Sequence, residues 1–378
     1  MKRRLAAALL CLPLWVMTAK AAPNESGTSA RAAAVIEMKT GRVLFDYNGS
    51  DRLPQASTTK IMTVLLALEE LDLDTYFTVD SEAIHVEGSS MGLREGDQVS
   101  LRQLCYGMLL PSGNDAANAT AVRLAGSLPA FAQLMNERAR QLGLTNTAFV
   151  TPSGLDAPGH YTTALELAQL ARYAMGEKTF REICCQYTAK THFGNPPYDR
   201  YLTNYNKLLN FYEPCIGIKT GFTGDAGRVL VSAAAKDGVE LICVTMNDAD
   251  DWADHERLYE QYFSELSPAD LSALIGGIGM PVTGGSREAQ AQPVGDLYIP
   301  LRAGEYERLS CYYRVPPFEY APVQAGGYAG QAEILLDGEL LCSFPLGYTQ
   351  EVLPLVPYRE QPQGLLERLK ALWEKISG

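Results

Sequence analysis

A serine and a lysine three residues apart, in Ser57-Thr58-Thr59-Lys60, are the first residues of this 378-residue chain whose types and spacing suggest chemistry. Residues three apart on a helix share a face, so this spacing brings the Lys60 amine beside the Ser57 hydroxyl. A serine hydroxyl is a poor nucleophile until a neighbouring base takes its proton. The four histidines, His85, His160, His192 and His255, all sit outside this string, and nothing in the sequence supports a serine-histidine-aspartate triad. Lys60 offers another route to a base, provided it loses its own proton. Desolvation in a closed cleft and repulsion from a second cation, such as Lys219, both favour that loss.

Two further strings complete the chemistry. In Ser112-Gly113-Asn114 a hydroxyl and an amide stand two apart, so in an extended loop both point the same way. Ser112 is then placed to pass a proton and Asn114 to hold a substrate amide. In Lys219-Thr220-Gly221, Lys219 and Thr220 can bind a carboxylate, while Gly221 lets a substrate backbone lie against the strand. The free backbone N–H of Ser57 at a helix start can face a developing oxyanion, with the backbone N–H of Phe222 as the second donor. These roles describe acyl transfer at a serine, with an extended peptide end bearing a free carboxylate as substrate. Each string also has an ordinary reading: a helix N-cap, a turn and a strand end. Lys39-Thr40-Gly41 repeats the third tripeptide ahead of the serine and reads only as a hairpin turn. It is the joint order, on a helix, a loop and a strand, that points to function.

Those contexts are legible in the pattern. Ala32 to Tyr47 reads as a hairpin, and Thr58 to Leu71 carries Ile61, Val64, Leu65 and Leu68 at helical spacing, which puts Ser57 at the start of a buried helix. Helical stretches follow over 101–110, 115–124, 129–142 and 163–175, with a structured loop at Thr151-Pro152-Ser153-Gly154-Leu155. Three antiparallel strands are expected over 216–222, 228–235 and 239–246, with Asp237-Gly238 as a tight turn and Lys219 on the first strand. A helix over 254–263 closes this region.

The chain is long enough for two domains. Lys2-Arg3-Arg4, a twelve-residue apolar run from Leu5 to Val16 and Ala19-Lys20-Ala21 have the three parts of a secretory signal, with cleavage expected after Ala21. Without Lys2, Arg3, Arg4 and Lys20 the chain keeps 28 basic against 44 acidic residues, a formal charge of −16 against −12 for the whole. Such a body repels nucleic acid, so no nucleic-acid partner is expected. Seven of the eight cysteines lie beyond Cys11, an odd number that includes the adjacent Cys184-Cys185, and read mainly as free thiols. The expected organisation is a signal peptide over 1–21, an acyl-transferase domain over 28–267, a glycine-rich linker over 276–285, a β-rich domain over 286–358 and an amphipathic helix over 363–378. That last helix fits either an interfacial membrane contact on the outer face of the cytoplasmic membrane or packing onto its own domain.

At the three strings the chain resembles the penicillin-binding serine acyl-transferases, most of all the low-molecular-mass D-alanyl-D-alanine carboxypeptidases. The likeness extends through LPQASTTKIMT, LLPSGNDAANA, TAFVTPSGLDAPGHYTTALELAQLA and IGIKTGFTGDAGRVLVSAA, and covers roughly residues 30 to 265. It implies an α+β fold, an antiparallel sheet flanked by helices, with a second, small all-β domain. It also implies an exported enzyme on which Ser57 is acylated by a D-Ala-D-Ala stem peptide with loss of the last D-alanine, Lys60 is the base and Ser112 the relay. Asn114 would hold the substrate amide, Lys219 and Thr220 the carboxylate, and β-lactams would act as covalent inhibitors. The family often carries an arginine supporting that carboxylate; the position expected to hold it is acidic here, Asp254, and Arg228 is the substitute candidate, or else a solvated strand end.

Class A β-lactamases share these motifs, but no Glu-x-x-Leu-Asn lies between Ser112 and Lys219, and Glu166 falls within a helical stretch. A noncatalytic peptidoglycan-binding envelope protein is a further alternative. His160 near Asp156 lacks a third ligand, so neither metal nor cofactor is expected. D-Alanine release should therefore survive a chelator such as EDTA, and its loss on chelation would overturn this reading.

Overall fold

The helix α1 (Lys60–Leu68) is apolar on nearly every face, and all of its residues but Leu66 are buried. A helix of that kind is stable only when surrounded. It packs against α2 (Leu101–Leu109), α3 (Asn114–Ala125), α4 (Leu128–Gln141), α5 (Ala164–Gly176) and α6 (Lys178–Cys184). A short α7 (Leu208–Phe211) and the long α8 (Asp251–Glu265) complete the helices of this part of the chain. Local chemistry sets several of their ends. Ser100 and Gln103 form a reciprocal capping box at the start of α2, and the Thr163 hydroxyl accepts from the Glu166 N–H at the start of α5.

The structure, a computed structural model, describes residues 27–355 and 373. The expected signal peptide over 1–21 lies outside the described residues, as does the tail helix over 363–378 apart from exposed Trp373.

The main sheet is antiparallel. Its strands are β1 (Ala32–Glu37), β2 (Val43–Tyr47), β7 (Cys215–Thr223), β8 (Gly227–Lys236) and β9 (Val239–Met246), in the order β2-β1-β9-β8-β7. The smaller pairs are β3 (Phe77–Thr78) with β4 (Gln98–Val99) and β5 (Thr188–Gly194) with β6 (Pro197–Thr203). All six residues of β1 are buried: the apolar run over 32–36 suits an inner strand, and the carboxylate of Glu37 accepts from the Lys39 and Thr40 N–H groups. β7 lies at the sheet's edge, paired on one side with β8 in a register that sets Lys219 opposite Val231 and Phe222 opposite Arg228.

The chain divides into two units, one running to Ala235 and again from Glu240 to Tyr262, the other holding Lys236–Val239 and everything from Phe263 onward. The second unit is built on a five-stranded sheet that includes Ile278–Met280, Ala289–Pro293, Leu309–Arg314, Tyr328–Leu336 and Glu339–Tyr348. Its own core contains Ile299, Leu301, Ala332, Ile334, Leu346 and Val352. Together these give the α+β class with a small β-rich second unit.

Four expectations need correction. The glycine-rich stretch over 276–285 is no linker: it contains strands Ile278–Met280 and Val282–Thr283, and Met280 is buried in the second unit's core. The division falls near 262 instead. The serine helix does not run from Thr58 to Leu71; a 3-10 turn over Ala56–Thr59 precedes α1, which stops at Leu68 and leaves Leu71 exposed. Ser112 and Asn114 do not share an extended loop, because Ser112 has φ of 62° and Asn114 opens α3. Finally, the helix expected over 254–263 begins three residues earlier, at Asp251.

The loop over 150–155 crosses the serine turn so closely that Gly154 has no room for a side chain. Its φ is 86°, and a Cβ there would lie 1.9 Å from the Ala56 carbonyl oxygen. Gly154→Ala should lower unfolding stability by about 2 kcal/mol or more, read from the urea midpoint. An unchanged midpoint would contradict this packing.

Candidate active site

The tight turn over Ala56–Thr59, entered by Ala56 at φ 47°, lifts Ser57 to the floor of an open cleft of about 480 Å³. Ser112, Asn114, Thr220, Gly221 and Phe222 line the same cleft. Lys60 begins α1 one turn on and is fully buried beneath them.

The Lys60 amine has three oxygen neighbours: Ser57 Oγ at 3.0 Å, Asn114 Oδ1 at 2.6 Å and the Ser153 carbonyl at 2.6 Å. The last two can only accept. The Asn114 assignment is fixed by its Nδ2, which donates to the Glu87 carbonyl at 2.7 Å. A neutral amine gives its two hydrogens to these acceptors and keeps its lone pair for the one neighbour that can donate, the Ser57 hydroxyl. Burial holds the Lys60 affinity for a third proton well below the ordinary lysine range; the charge of Lys219 lowers it further and Asp115 opposes. Lys219 is buried too, which pushes its pKa down to about 7, and it donates to the Thr220 carbonyl at 2.8 Å. The geometry therefore sets an amine with a weakened hold on its proton against a serine hydroxyl.

Other contacts keep this arrangement closed. A Cβ on Gly221 would come within 3.2 Å of the Ser57 backbone nitrogen and 3.1 Å of Ala56 Cβ, so its absence lets β7 lie against the serine turn. That approach sets the Ser57 N–H beside the strand that carries Phe222. Asp115 accepts from the backbone N–H groups of Met91, Gly92 and Leu93 and from the Ser90 hydroxyl, tying that loop to the start of α3.

Arg228 lies in the cleft rather than at a merely solvated strand end. It donates to Asp251 Oδ1 at 2.5 Å, and its guanidinium lies 5.4 Å from the Trp252 ring centre. Asp254, where an arginine was expected, accepts instead from Thr28 Oγ1 and the Ser29 N–H.

Sequence reasoning missed several cleft residues: Ser153, whose carbonyl binds Lys60, and Tyr205, Lys207, Asp251 and Trp252. The run Thr151 to Leu155 marked a structured loop but not the use of a backbone carbonyl, which carries no side-chain signal. In the sequence His160 stands out only as a lone metal-ligand candidate beside Asp156. Its Nδ1 accepts from the Val150 N–H at 2.9 Å, so in the neutral ring Nε2 carries the proton and donates to Thr59 Oγ1 at 2.7 Å. Burial pushes its pKa down to about 4, and it thereby clamps the loop over 150–155 to the serine turn. Asp156 instead accepts from Thr223 Oγ1 at 2.7 Å. Glu166 binds the Asn146 N–H and Thr147 Oγ1. His255 is buried between Ser232 and Thr245.

Comparison with known proteins gives matches to one family. The sequence profile of the family described as D-alanyl-D-alanine carboxypeptidase matches residues 17–250. The chain is 32% identical over 371 residues to the D-alanyl-D-alanine carboxypeptidase DacC of Escherichia coli, covering 91% of this chain and 90% of that protein. It is 33% identical over 256 residues to DacF of Bacillus subtilis, a match spanning 65% of this chain and 66% of the relative. Among solved structures, penicillin binding protein 5 from Haemophilus influenzae superposes with a TM-score of 0.67 at 25% identity, over 86% of this chain and 98% of that one.

If the uncharged Lys60 amine activates Ser57, acylation by a neutral activated ester should slow as pH falls through the Lys60 pKa. Lys219→Met removes the repelling charge, lets Lys60 hold its proton more tightly and should shift that acid limb to higher pH. Stopped-flow rates against pH test this, and a limb that stays in place or moves lower would contradict it.

Proposed function

Since the chain belongs to the D-alanyl-D-alanine carboxypeptidase family, we propose that it is exported and removes the terminal D-alanine from peptidoglycan stem peptides through an acyl-enzyme on Ser57. The observation that carries the reading is the buried Lys60 amine 3.0 Å from Ser57 Oγ, with its other two neighbours able only to accept.

Lys60 takes the hydroxyl proton as Ser57 Oγ attacks the carbonyl carbon of the penultimate D-alanine. The resulting oxyanion faces the backbone N–H groups of Ser57 and Phe222, a donor pair of the kind whose members are each worth roughly 3 kcal/mol. Asn114 has one Nδ2 hydrogen committed to Glu87 and one left for a substrate amide carbonyl. The C–N bond then breaks, and the proton taken by Lys60 passes through the Ser112 hydroxyl to the leaving amine of D-alanine. Water attacks the ester, Lys60 accepts its proton, and Ser57 is regenerated with a peptide one D-alanine shorter.

Lys219 and Thr220 bind the terminal carboxylate, with Gly221 giving the peptide backbone room against β7. Arg228 borders that site. β-Lactams, which also present a carboxylate beside a reactive carbonyl, would acylate the same serine. The secretory pattern over 1–21 supports export, and the amphipathic sequence over 363–378 is the segment suited to contact with the outer face of the cytoplasmic membrane.

Ser57→Ala should abolish covalent labelling by fluorescent penicillin and cut D-alanine release from a stem pentapeptide by about a thousandfold or more. Undiminished labelling would remove Ser57 as the nucleophile. A bound carboxylate favours the charged form of Lys219, so substrate binding above pH 7 should take up a proton and KM should rise as pH climbs from about 7. A KM flat across that range would argue against Lys219 as the carboxylate partner.

A further inference from the structure

Four cationic side chains lie in or just beneath the cleft, and their charges are met in different ways. Lys60 and Lys219 are buried, and burial disfavours the charged form of both. Arg228 is compensated by Asp251, whose side chain is almost fully buried and held 2.5 Å away. Lys207 is the exception. It lines the same cleft, is exposed, and pairs with no carboxylate among the described residues.

Its position is built. Buried Asn204 donates through Nδ2 to the carbonyls of Cys184 at 3.1 Å and Gln186 at 3.2 Å, and its Oδ1 accepts from the Asn206 N–H at 2.9 Å. Buried Asn206 accepts from the Leu208 N–H at 3.1 Å. The Tyr205 N–H donates to the carbonyl of Leu110, two residues before Ser112. These bonds flank Lys207 on both sides and fix its turn next to the Ser112 loop. An exposed lysine on a mobile loop would not be held this way.

The charge has a reason to be there. The chain carries a formal charge of −12, so its field repels an incoming anionic peptide, and an uncompensated cation at the cleft offsets that repulsion locally. We propose that Lys207 is a specificity residue that draws the terminal carboxylate of the stem peptide into the cleft. The proposal rests on the carboxypeptidase reading of Ser57.

The test compares kcat/KM for D-alanine release from a D-Ala-D-Ala peptide with kcat/KM for release of D-alaninamide from the same peptide bearing a C-terminal amide. Wild type, Lys207→Gln and Lys207→Arg are measured at low salt and at 0.5 M salt, with folding checked by circular dichroism. Lys207→Gln should reduce the acid-over-amide preference by roughly fivefold, the size expected of one partly exposed charge pair. Lys207→Arg should retain the preference, and high salt should bring wild type towards the glutamine variant. Equal losses on both peptides, an unchanged preference, or an effect that disappears when an earlier carboxylate of the peptide is amidated would each overturn the proposal. Wild type that neither releases D-alanine nor takes penicillin at Ser57 would instead overturn the functional reading itself, before any Lys207 variant is compared.

Discussion

The site depends on a lysine amine buried where an ammonium ion is costly. Taking a charged group out of water carries a penalty of several kcal/mol unless a counter-charge meets it, and losing the proton is the cheaper outcome. Lys60 meets no carboxylate directly; the nearest influence of that sign is Asp115, which only tempers the effect. Two fixed acceptors, Asn114 Oδ1 and the Ser153 carbonyl, then orient the neutral amine so that its lone pair faces Ser57. Burial loosens the proton, and hydrogen bonding orients the amine.

Much of the surrounding structure serves those two acceptors. Asn114 stands where it does because α3 begins there, and Asp115 gathers the loop over 90–93 onto the same helix end. Ser153 reaches Lys60 because His160 bridges Val150 and Thr59, and because Gly154 allows its loop to touch the Ala56 carbonyl. The edge strand β7 brings Lys219 close enough to be felt at Lys60, and Gly221 is what permits that approach. A sequence lacking either glycine would hold the same side chains too far apart.

The sequence was most informative where side chains repeat at a regular spacing. The hairpin at 32–47, the helices α2 to α5 and the strands β7 to β9 follow directly from periodicity and turn residues, and the order of the three short strings pointed to one cleft. Reading failed where the backbone carries the information. The left-handed Ser112 and the 3-10 turn at Ser57 have no compositional mark, and the Ser153 carbonyl belongs to every residue alike. The hairpin over 188–203 has no clear mark in the sequence, and its turn at Asn195-Pro196 is defined by the pairing of β5 with β6. The glycines over 276–285 suggested a linker, yet the strands on that stretch are fixed by partners far along the chain, such as Ala291 opposite Ile278. Arg228 was legible only as a candidate, since its partner Asp251 lies 23 residues on and its meaning is set by folding.

The chemistry of the cleft requires Lys60 to be uncharged in the resting protein. Carbon-13 labelling of lysine Cε, with the Lys60 resonance assigned by its loss in Lys60→Arg, allows that amine to be titrated directly by NMR. The Lys60 signal should titrate well below the ordinary lysine range, about 10.4. A Lys60 resonance that still reports an ammonium group up to that ordinary value would contradict it.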